Sequence, residues 1–410
     1  MNALTVLNLA LGALLGLAYA YQFVFLVISY AKRKKAPPTD KHSRIAVLIA
    51  ARNEERVIGN LINSLFSQDY PKECFDIFVV ADNCTDKTKE HASRLGATVY
   101  ERHNTEQVGK GYALEYLISS IKRDRGDNAY DAFLVFDADN TLEPNYITEM
   151  NKTLALGYDC VTSYRNSINY GDNWLSAGQG MCFLRDMVML NRARMAVGGC
   201  CFVSGTGFIF TNELCRRFGG GWPFHTLTED CEFTMYNAIH GSRMGYCDTA
   251  ILYDEQTTRF SQSWSQRLRW CKGGIQVFVK YIRELLSGIF KGKFISCFDM
   301  SMCMAPAYII SVLATAINTL GAVISLALGT DPVSILVTLA SAIAGIYAVF
   351  LCFSIPLTVS EWKRLRATPI KKILYAFTFP IFMGTFLPIT CVALLKRQVK
   401  WKQIEHKAGK

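Results

Sequence analysis

The sequence lacks the local patterns that mark several common enzyme classes. It contains no GxGxxG motif and no GxxxxGK[ST] motif, which excludes the usual dinucleotide-binding fingerprint and the P-loop. Its 14 cysteines form no pair of CxxC motifs and have no matched histidine pairs, so no zinc site is predicted. Cys200 and Cys201 are neighbours that cannot easily bridge one another. We therefore expect most cysteines to be reduced residues of a core.

Charge is missing from four long segments. No Asp, Glu, Lys or Arg occurs in residues 1–31, 301–330, 332–360 and 373–395. Uncharged apolar stretches of this length can cross about 30 Å of hydrocarbon. The first is too long for the core of a signal peptide and lacks a basic start. We expect an N-terminal transmembrane helix at 1–31 and further membrane helices within 300–395.

The composition fits a chain divided between membrane and soluble parts. It is 50% hydrophobic and 19% charged, with a mean hydropathy of +0.16 and a net charge of +10. Residues 40–299 contain no long uncharged run, which predicts one large soluble domain. The basic residues crowd at the ends of the apolar segments. This placement favours anionic lipid or an anionic substrate over nucleic acid as the partner.

The basic flanks also predict orientation, because Lys and Arg concentrate in cytoplasmic loops. Residues 32–35 place the domain at 40–260 in the cytoplasm, with the chain as a multi-pass protein of the cell membrane. The 361–372 loop and the basic tail at 396–410 are both expected inside. A single crossing by 373–395 cannot satisfy both flanks, and Pro380 and Pro388 interrupt this segment. We predict a re-entrant or interfacial hairpin there, with a plain fourth span as the alternative.

The soluble domain begins with alternating strand and helix patterns. Short apolar runs at 44–51, 76–82, 97–101 and 132–139 predict strands, and the segments between them have helical periodicity. This alternation is typical of an α/β fold with a mostly parallel sheet and helices on both faces. Ligands of such sheets bind at the carboxyl ends of the strands.

Polar and acidic side chains stand at those ends. The first strand is followed by Asn53 and Glu54, the second ends on Asp82, and the fourth on Asp137 and Asp139. Each alone could simply cap a helix. Together they would repel one another unless a metal or a cationic group compensates them. Oxygen ligands in an Asp-x-Asp pattern suit Mg²⁺ or Mn²⁺ held between protein and phosphate.

Motifs along the chain resemble those of a known family. "IAARNEE", "VVADNCTD", "FDADN", "TED" and "QRLRW" occur in that order. They resemble the signature of the membrane-bound family 2 glycosyltransferases, relatives of cellulose, hyaluronan and poly-N-acetylglucosamine synthases. The resemblance covers residues 44–274 by motif and the flanking segments by layout. It implies a type A glycosyltransferase fold and a nucleotide-sugar donor.

The resemblance also implies roles for individual residues. Ala51 stands where the family often has proline. Donor contacts are expected from Ala51, Asn53, Glu54, Asp82, Lys110, Asp137, Asp139, Gln266 and Arg269, with Asp139 holding Mg²⁺ or Mn²⁺. Acceptor contacts are expected from Gly205, Thr206, Gly207, Glu229 and Trp270. Asp230 is expected to be the catalytic base, and its alternative role is that of an acid at a helix N-terminus.

The "QRLRW" motif lies in a segment, 261–299, that we expect to form interfacial amphipathic helices. On a helix, Gln266, Arg269 and Trp270 share one face, which can present an amide, a guanidinium for phosphate and a platform for a sugar ring. Arg267 diverges from that face, and we expect it to meet lipid headgroups or solvent. The alternative is that the motif only anchors the helix at headgroup depth.

These observations leave alternatives for function. A single carboxylate base predicts one displacement with inversion, so a UDP-sugar with an α linkage would give a β-glycosidic product. The acceptor is a carbohydrate, in processive polysaccharide synthesis, or a lipid that receives one sugar. Three plain spans are few for a polymer channel in one chain, which leaves an oligomer open. A non-catalytic scaffold or transporter is less consistent with spans that carry no ionisable residue.

Overall fold

The computed structural model describes residues 3–32, 35–304 and 306–399. The strands are β1 (Ile45–Ala51), β2 (Phe75–Asp82), β3 (Thr98–Arg102), β4 (Ala132–Asp137), β5 (Thr141–Leu142), β6 (Cys160–Ser167), β7 (Phe208–Thr211) and β8 (Met244–Asp254). The helices of the soluble domain are α2 (Ile58–Phe66), α3 (Thr88–Arg94), α4 (Lys110–Arg125), α5 (Tyr146–Leu154), α6 (Trp174–Leu184), α7 (Arg192–Ala196), α8 (Asn212–Arg217) and α9 (Glu229–His240).

The remaining helices are α1 (Ala3–Ala31), α10 (Phe260–Phe290), α11 (Phe294–Cys303), α12 (Pro306–Ala327), α13 (Pro332–Ser360), α14 (Pro369–Gly384) and α15 (Phe386–Leu395). A short 3₁₀ turn covers Lys72–Cys74, and a π-helix covers Arg185–Asn191 between α6 and α7. The strands and helices predicted within residues 40–139 are present, with ends that differ by a few residues.

The strands form one 8-stranded mixed sheet in the order β3-β2-β1-β4-β7-β6-β8-β5. β1, β2, β3 and β4 are parallel, as is the β6–β8 pair, whereas β7 runs antiparallel to both its neighbours. Ala50 pairs with Asp137 and Ala51 with Ala81. The carboxyl ends of β1, β2 and β4 therefore meet at one edge, as the sequence predicted.

Each face of the sheet buries its own core, because successive strand side chains point to opposite faces. Ala46 and Leu48 of β1 pack with α4, whereas Ile45, Val47 and Ile49 pack with α2 and α5. A strand that is covered on both faces must be apolar throughout, which explains the continuous run "IAVLIAA". The two cores fix the strand ends that carry the polar side chains.

Four helical segments are long and apolar enough to cross a membrane. They are Thr5–Ala31, Ile309–Ala327, Pro332–Ser360 and Pro369–Leu395. The first three have few buried residues. The fourth is more buried, because it packs on α6, α10 and α13. All 14 cysteines are free, in agreement with the expected reduced state.

The described residues at 373–395 do not form a hairpin, and whether this segment spans the membrane or lies at its surface stays a prediction. Thr385, which joins α14 to α15, has right-handed helical torsions, and its N–H donates to Ile381 O and Phe382 O at 3.3 and 3.1 Å. A chain reversal cannot occur at one residue with helical torsions, so α14 and α15 form one interrupted helix. Pro380 and Pro388 interrupt the backbone ladder without turning the chain back. Of the predicted basic tail at 396–410, residues 400–410 lie outside the described residues.

The long apolar helix α1 and the short helix α11 join the soluble domain through a buried ion pair. Arg194 Nε in α7 donates to Asp299 Oδ2 in α11 at 2.6 Å, and Tyr21 Oη in α1 donates to Asp299 Oδ1 at 3.0 Å. Because both charges are buried, removing one partner would leave an uncompensated charge. This network holds α1 and α11 against the short α7.

Candidate active site

The ends of β1 and β2 turn sharply at two asparagines. Asn53 and Asn83 have φ values of 57° and 53°, a left-handed conformation that asparagine tolerates better than most residues. Asn53 Oδ1 accepts from the Thr85 N–H at 2.7 Å, and Asn83 Oδ1 accepts from the Asn104 N–H at 2.9 Å. The Glu54 N–H donates to Thr88 Oγ1 at 2.8 Å. These bonds hold Asn53 and Glu54, which are expected to contact the donor, at the edge of the crevice. By the crevice we mean the space at the carboxyl ends of β1, β2 and β4.

Asp82 is neutralised by an arginine that the motifs did not indicate. Arg102 Nη1, at the end of β3, donates to Asp82 Oδ1 at 2.7 Å, and both side chains are buried. Arg102 Nη2 also donates to Gln107 O at 2.7 Å. The charge of Asp82 is therefore compensated by a guanidinium and does not require a metal. Adjacent Ala51 is buried at the end of β1.

Lys110 lies at the centre of the crevice. Its Nζ pairs with Asp137 Oδ1 and donates to Gly205 O at 2.6 Å. Burial opposes the charge of Lys110, yet the carboxylates of Asp137, Glu229 and Asp230 outweigh it and raise the lysine's pKa. For Asp137, burial acts against ionisation, and Lys110 lowers its pKa overall. The lysine thus links the end of β4 to the turn at 204–208, which has the sequence "SGTGF".

Only one of the three predicted acceptor residues of that turn faces the crevice. A Cβ on Gly205 would lie 3.6 Å from Asp230 Oδ2 and 3.9 Å from Asp137 Oδ2. Thr206 is buried, where Oγ1 accepts from the Asp137 N–H at 2.9 Å and donates to Asn140 Oδ1. A Cβ on Gly207 would meet Leu252 Cδ2 at 1.9 Å. Thr206 and Gly207 are thus packed into the crevice floor, and their expected acceptor roles stay predictions.

The "TED" motif opens α9 and directs two carboxylates toward Lys110. Glu229 is buried, and Asp230 is partly exposed in the crevice. Burial, and then the charge of Asp230, raise the pKa of Glu229 to about 7. Burial also raises the pKa of Asp230, against the opposing effects of the Cys231 N–H, Lys110 and Arg269. Asp230 therefore has a raised proton affinity, as a base requires.

Asp139 offers the crevice a partly exposed carboxylate. Its Oδ1 accepts from Asn140 Nδ2 at 3.3 Å. Within residues 3–32, 35–304 and 306–399, no group of three or more His, Cys, Asp or Glu side chains forms a cluster suited to a metal. Mg²⁺ often uses one or two carboxylates and completes its shell with phosphate and water. A single partly exposed carboxylate such as Asp139 is compatible with that open arrangement.

The "QRLRW" motif lies in α10 beside the segment that precedes Asp230. Arg269 Nη1 donates to Leu227 O at 3.2 Å. Glu232 of α9 accepts from the N–H groups of His225 and Thr226 at 3.0 and 2.9 Å, and it also pairs with Lys280 of α10. Gln266 Oε1 is buried and has no hydrogen-bond partner among the described residues. The role of Glu232 in joining the segment before α9 to α10 was not predicted, because nothing local in the sequence distinguishes Glu232 from an ordinary acidic residue of a helix.

The expectation for Arg267 is wrong. Its side chain is fully buried at 0% exposure, rather than turned to lipid headgroups or solvent. The guanidinium lies over Phe382 and Phe386, 4.4 and 5.0 Å from the ring centroids, and Nη1 donates to Thr385 Oγ1. Arg267 points away from Arg269 as expected, but on that side of α10 its side chain contacts α14 and α15. It therefore holds α10 to the last helices of the chain.

Trp270 contacts residues that sequence reasoning also missed. Its ring packs edge-on against Phe183 of α6, with centroids 6.0 Å apart. Arg165 of β6 covers the same Phe183 ring at 3.7 Å. A lone arginine inside the strand "CVTSYRNS" was the available signal, because charge is unusual in a buried strand. The geometry brings Arg165 beside the residues of the carboxylate crevice.

Comparisons with known proteins agree with this arrangement. A model described as "Glycosyltransferase like family 2" matches residues 42–273. A solved mannosyltransferase, PcManGT from Pyrobaculum calidifontis in complex with GDP-Man and Mn²⁺, shares the fold with a TM-score of 0.65. It is 18% identical, and the alignment covers 96% of this chain and 100% of that one. The shared fold confirms the predicted type A architecture with appended apolar helices.

Curated relatives are enzymes that act on different acceptors. A beta-monoglucosyldiacylglycerol synthase from Synechocystis sp. is 27% identical over 62% of this chain and 54% of its own length. A poly-beta-1,6-N-acetyl-D-glucosamine synthase from Staphylococcus epidermidis is 23% identical over 58% and 56%. The chain spans about half the length of these curated relatives. The matched region holds the strand-end carboxylates, "TED" and "QRLRW", and the chain belongs to the family 2 glycosyltransferases of the membrane type.

Proposed function

We propose that this protein transfers a sugar from a nucleotide-sugar to a hydroxyl of a membrane lipid, with inversion at the anomeric carbon. The observation that carries the proposal is the convergence of Asp230 Oδ2 and Asp137 Oδ2 within 4 Å of one point beside Gly205, with Lys110 bound to the same turn. Asp230, the candidate catalytic base, and Asp137, a carboxylate on the donor side, thus face the same small space. Such proximity is what a direct displacement requires.

The donor would bind along the carboxyl ends of β1, β2 and β4. The nucleobase and ribose would bind at the strand ends that carry Asn53, Glu54 and Asp82. Asp137 and Lys110 lie further along the crevice. Asp139 would hold Mg²⁺ or Mn²⁺ together with the diphosphate. That cation, when bound, supplies positive charge against the charge of the leaving diphosphate. Gln266 and Arg269 would contribute an amide and a guanidinium to the same phosphates.

Asp230 would act as the base. As the acceptor oxygen bonds to the anomeric carbon, its proton passes to Asp230, and the bond from that carbon to the phosphate oxygen breaks. The nucleoside diphosphate leaves with the electron pair. One displacement inverts the centre, so a UDP-sugar with an α linkage would yield a β-glycoside. Glu229 would keep the electrostatic environment in which Asp230 retains affinity for a proton.

The lipid acceptor is favoured by the position of the site. Trp270, the expected acceptor platform, belongs to the helix that packs on α15, and the Synechocystis relative is named for a glucosyl-lipid product. Polysaccharide synthesis is the second candidate, favoured by the Staphylococcus epidermidis relative. The basic flanks favour a cytoplasmic catalytic domain in either case.

The test uses purified protein in detergent with UDP- and GDP-sugars, Mg²⁺ or Mn²⁺, and lipid extract. Mass spectrometry of products separates a lipid with one added sugar from a polymer series. Asp230→Asn should retain donor binding and lose transfer, typically by 10²–10⁴-fold for a base. Asp139→Asn should weaken donor binding in the presence of metal. If Asp230→Asn keeps more than about a tenth of wild-type turnover, the base lies elsewhere.

A further inference from the structure

Arg165 is fastened on the side away from the crevice. Its Nε donates to Asp254 Oδ2 at 2.7 Å, and Nη1 donates to Ser204 O at 2.8 Å. Ser204 precedes Gly205, the residue next to Asp230 and Asp137. Burial opposes the charge of Arg165, but Asp254, and beyond it Asp137 and Asp139, raise its pKa. The guanidinium is thus a fixed positive charge that interacts electrostatically with the carboxylates of Asp137 and Asp139 in the crevice.

Arg165 also begins a continuous wall. Its Cζ lies 3.7 Å from the centroid of Phe183, and the Phe183 ring meets Trp270 at 6.0 Å with an angle of 67° between the planes. We name Arg165, Phe183 and Trp270 the acceptor wall. Phe183 is buried in contact with both Arg165 and Trp270, and Trp270 is partly exposed, so the wall can offer the Trp270 ring to the apolar face of a sugar or polyol.

Polar atoms behind the wall have no partner. Ser204 Oγ and Asp254 Oδ1 are buried and make no hydrogen bond to any described residue. Both belong to residues whose other oxygen is held by Arg165. Buried polar atoms are nearly always hydrogen-bonded in folded proteins. The two residues that hold Arg165 therefore each keep one buried polar atom without a partner among the described residues.

The acceptor wall ends at the membrane helices. Two residues after Phe183, Arg185 Nη2 donates to Gln22 Oε1 of α1 at 3.0 Å. Next to Trp270, Cys271 Sγ accepts from Thr390 Oγ1 of α15 at 3.9 Å. The wall is therefore bounded by two of the helical segments that are long and apolar enough to span a membrane.

We propose that the acceptor wall binds the hydroxyl-bearing headgroup of a lipid that enters between α1 and α15, and that Arg165 sets the choice of acceptor. This inference rests on the proposed transfer to lipid. It adds Arg165 and Phe183 to the acceptor side, where no motif placed them. The donors of Arg165 are held by Asp254 and Ser204 O. Arg165 is therefore a positioning residue that acts through Phe183 and the turn before Gly205, and Trp270 faces the headgroup.

The test measures acceptor and donor KM separately, with dioctanoylglycerol and octyl β-glucoside as acceptor probes. Arg165→Lys keeps the charge but loses the planar fork, and Phe183→Leu loses the ring. Each should raise the acceptor KM about tenfold and lower the ratio of transfer to donor hydrolysis, with the donor KM changed less than twofold. Arg364→Lys is the matched control, because Arg364 lies over Tyr164, the preceding residue of β6, at 4.4 Å and pairs with Asp248 and Glu361. It should leave both KM values unchanged.

The outcomes separate this inference from the proposed function. If acceptor and donor KM rise together in Arg165→Lys, the residue only supports the fold and the inference fails. The inference fails equally if both KM values match wild type. If the wild-type protein hydrolyses donor but modifies neither probe and no membrane lipid, the lipid-transfer proposal itself fails. Transfer to a growing glycan with an acceptor KM sensitive to Arg165 would retain the wall and overturn the lipid class.

Discussion

Gly273 of α10 lies directly against Thr228, the residue before the "TED" carboxylates. A Cβ built on Gly273 would come within 2.5 Å of both Cγ2 and Oγ1 of Thr228. Gly274, the next residue, would meet nothing within 4 Å. The first glycine therefore allows α10 to approach the start of α9, whereas the second has no such role.

We expect Gly273→Ala to lower transfer strongly, because the added methyl group must push α10 away from Thr228 and displace Arg269 from Leu227 O. Gly274→Ala should leave transfer intact. Both changes improve helix propensity by about 1 kcal/mol, so propensity cannot explain a difference between them. Steady-state transfer rates and thermal unfolding of both variants test this. Equal activity would show that α10 can shift without affecting the site.

A second prediction concerns pH. Asp230 must be ionised to accept a proton, and its pKa and that of Glu229 are raised, the latter to about 7. A raised pKa means that the base form is lost while the pH is still well above the usual carboxyl range near 4. Transfer should therefore already fall at a pH above the usual carboxyl range, with apparent pKa values that belong to the pair.

Glu229→Gln supplies the check on this pH dependence. Removing Glu229 leaves Asp230 to titrate alone instead of as one of a pair, so the acid limb of kcat should become a one-proton limb and move to lower pH. Profiles of kcat from pH 5 to 8 for both proteins would measure the shift. An unmoved limb would mean that another group controls the loss of activity.

The two arginines of "QRLRW" should fail in different ways. Arg269→Lys should cut transfer about ten- to a hundredfold, because an ammonium cannot replace a guanidinium on phosphate, at roughly 1.5–3 kcal/mol. Arg267→Lys should mainly lower the unfolding temperature, since Arg267 is buried on Phe382 and Phe386. Transfer and thermal melts of both variants decide. Interchangeable mild losses would identify the motif as a membrane anchor only.

The topology is also testable with labelled cysteines in a background without reactive thiols. The basic flanks predict Thr330 outside and both Arg366 and Lys396 inside. Because α14 and α15 pack on α6 and α10 of the catalytic domain, the interrupted helix can lie at the inner surface and keep both ends on one side. An impermeant thiol reagent added to intact cells should label Thr330→Cys and spare Arg366→Cys and Lys396→Cys. Labelling of Lys396→Cys would make this segment a full span.

The sequence predicted the parts of the site that follow from local patterns. Strand periodicity placed Asn53, Asp82 and Asp137 at one edge, because parallel strands end together. Helical spacing separated Arg267 from Arg269. These relations depend only on residues that are neighbours in the chain or on the direction of strands.

The remainder depends on contacts between distant segments. Arg267 was assigned to lipid because its partners, Phe382 and Phe386, lie more than a hundred residues away. Thr206 belongs to a recognisable turn, yet its direction is set by Asn140 and Asp137 on another strand. The described residues at 373–395 form no hairpin, because two prolines weaken a helix but do not specify reversal. Local pattern leaves such packing undetermined.

The π-helix at Arg185–Asn191 has a consequence for how this protein tolerates change. Its wider turn shifts the angular phase between α6, whose Phe183 faces Trp270, and α7, whose Arg194 binds Asp299. The two faces can thus be set independently along one continuous rod. Deleting a single residue within Arg185–Asn191 would close the wide turn into an ordinary α-helical turn and leave the direction of Arg194 largely unchanged. A deletion in α7 before Arg194 would instead rotate Arg194 away from Asp299 by about 100°. A change of length in α7 would therefore uncouple α11 from the crevice, although no residue of the reaction itself had changed.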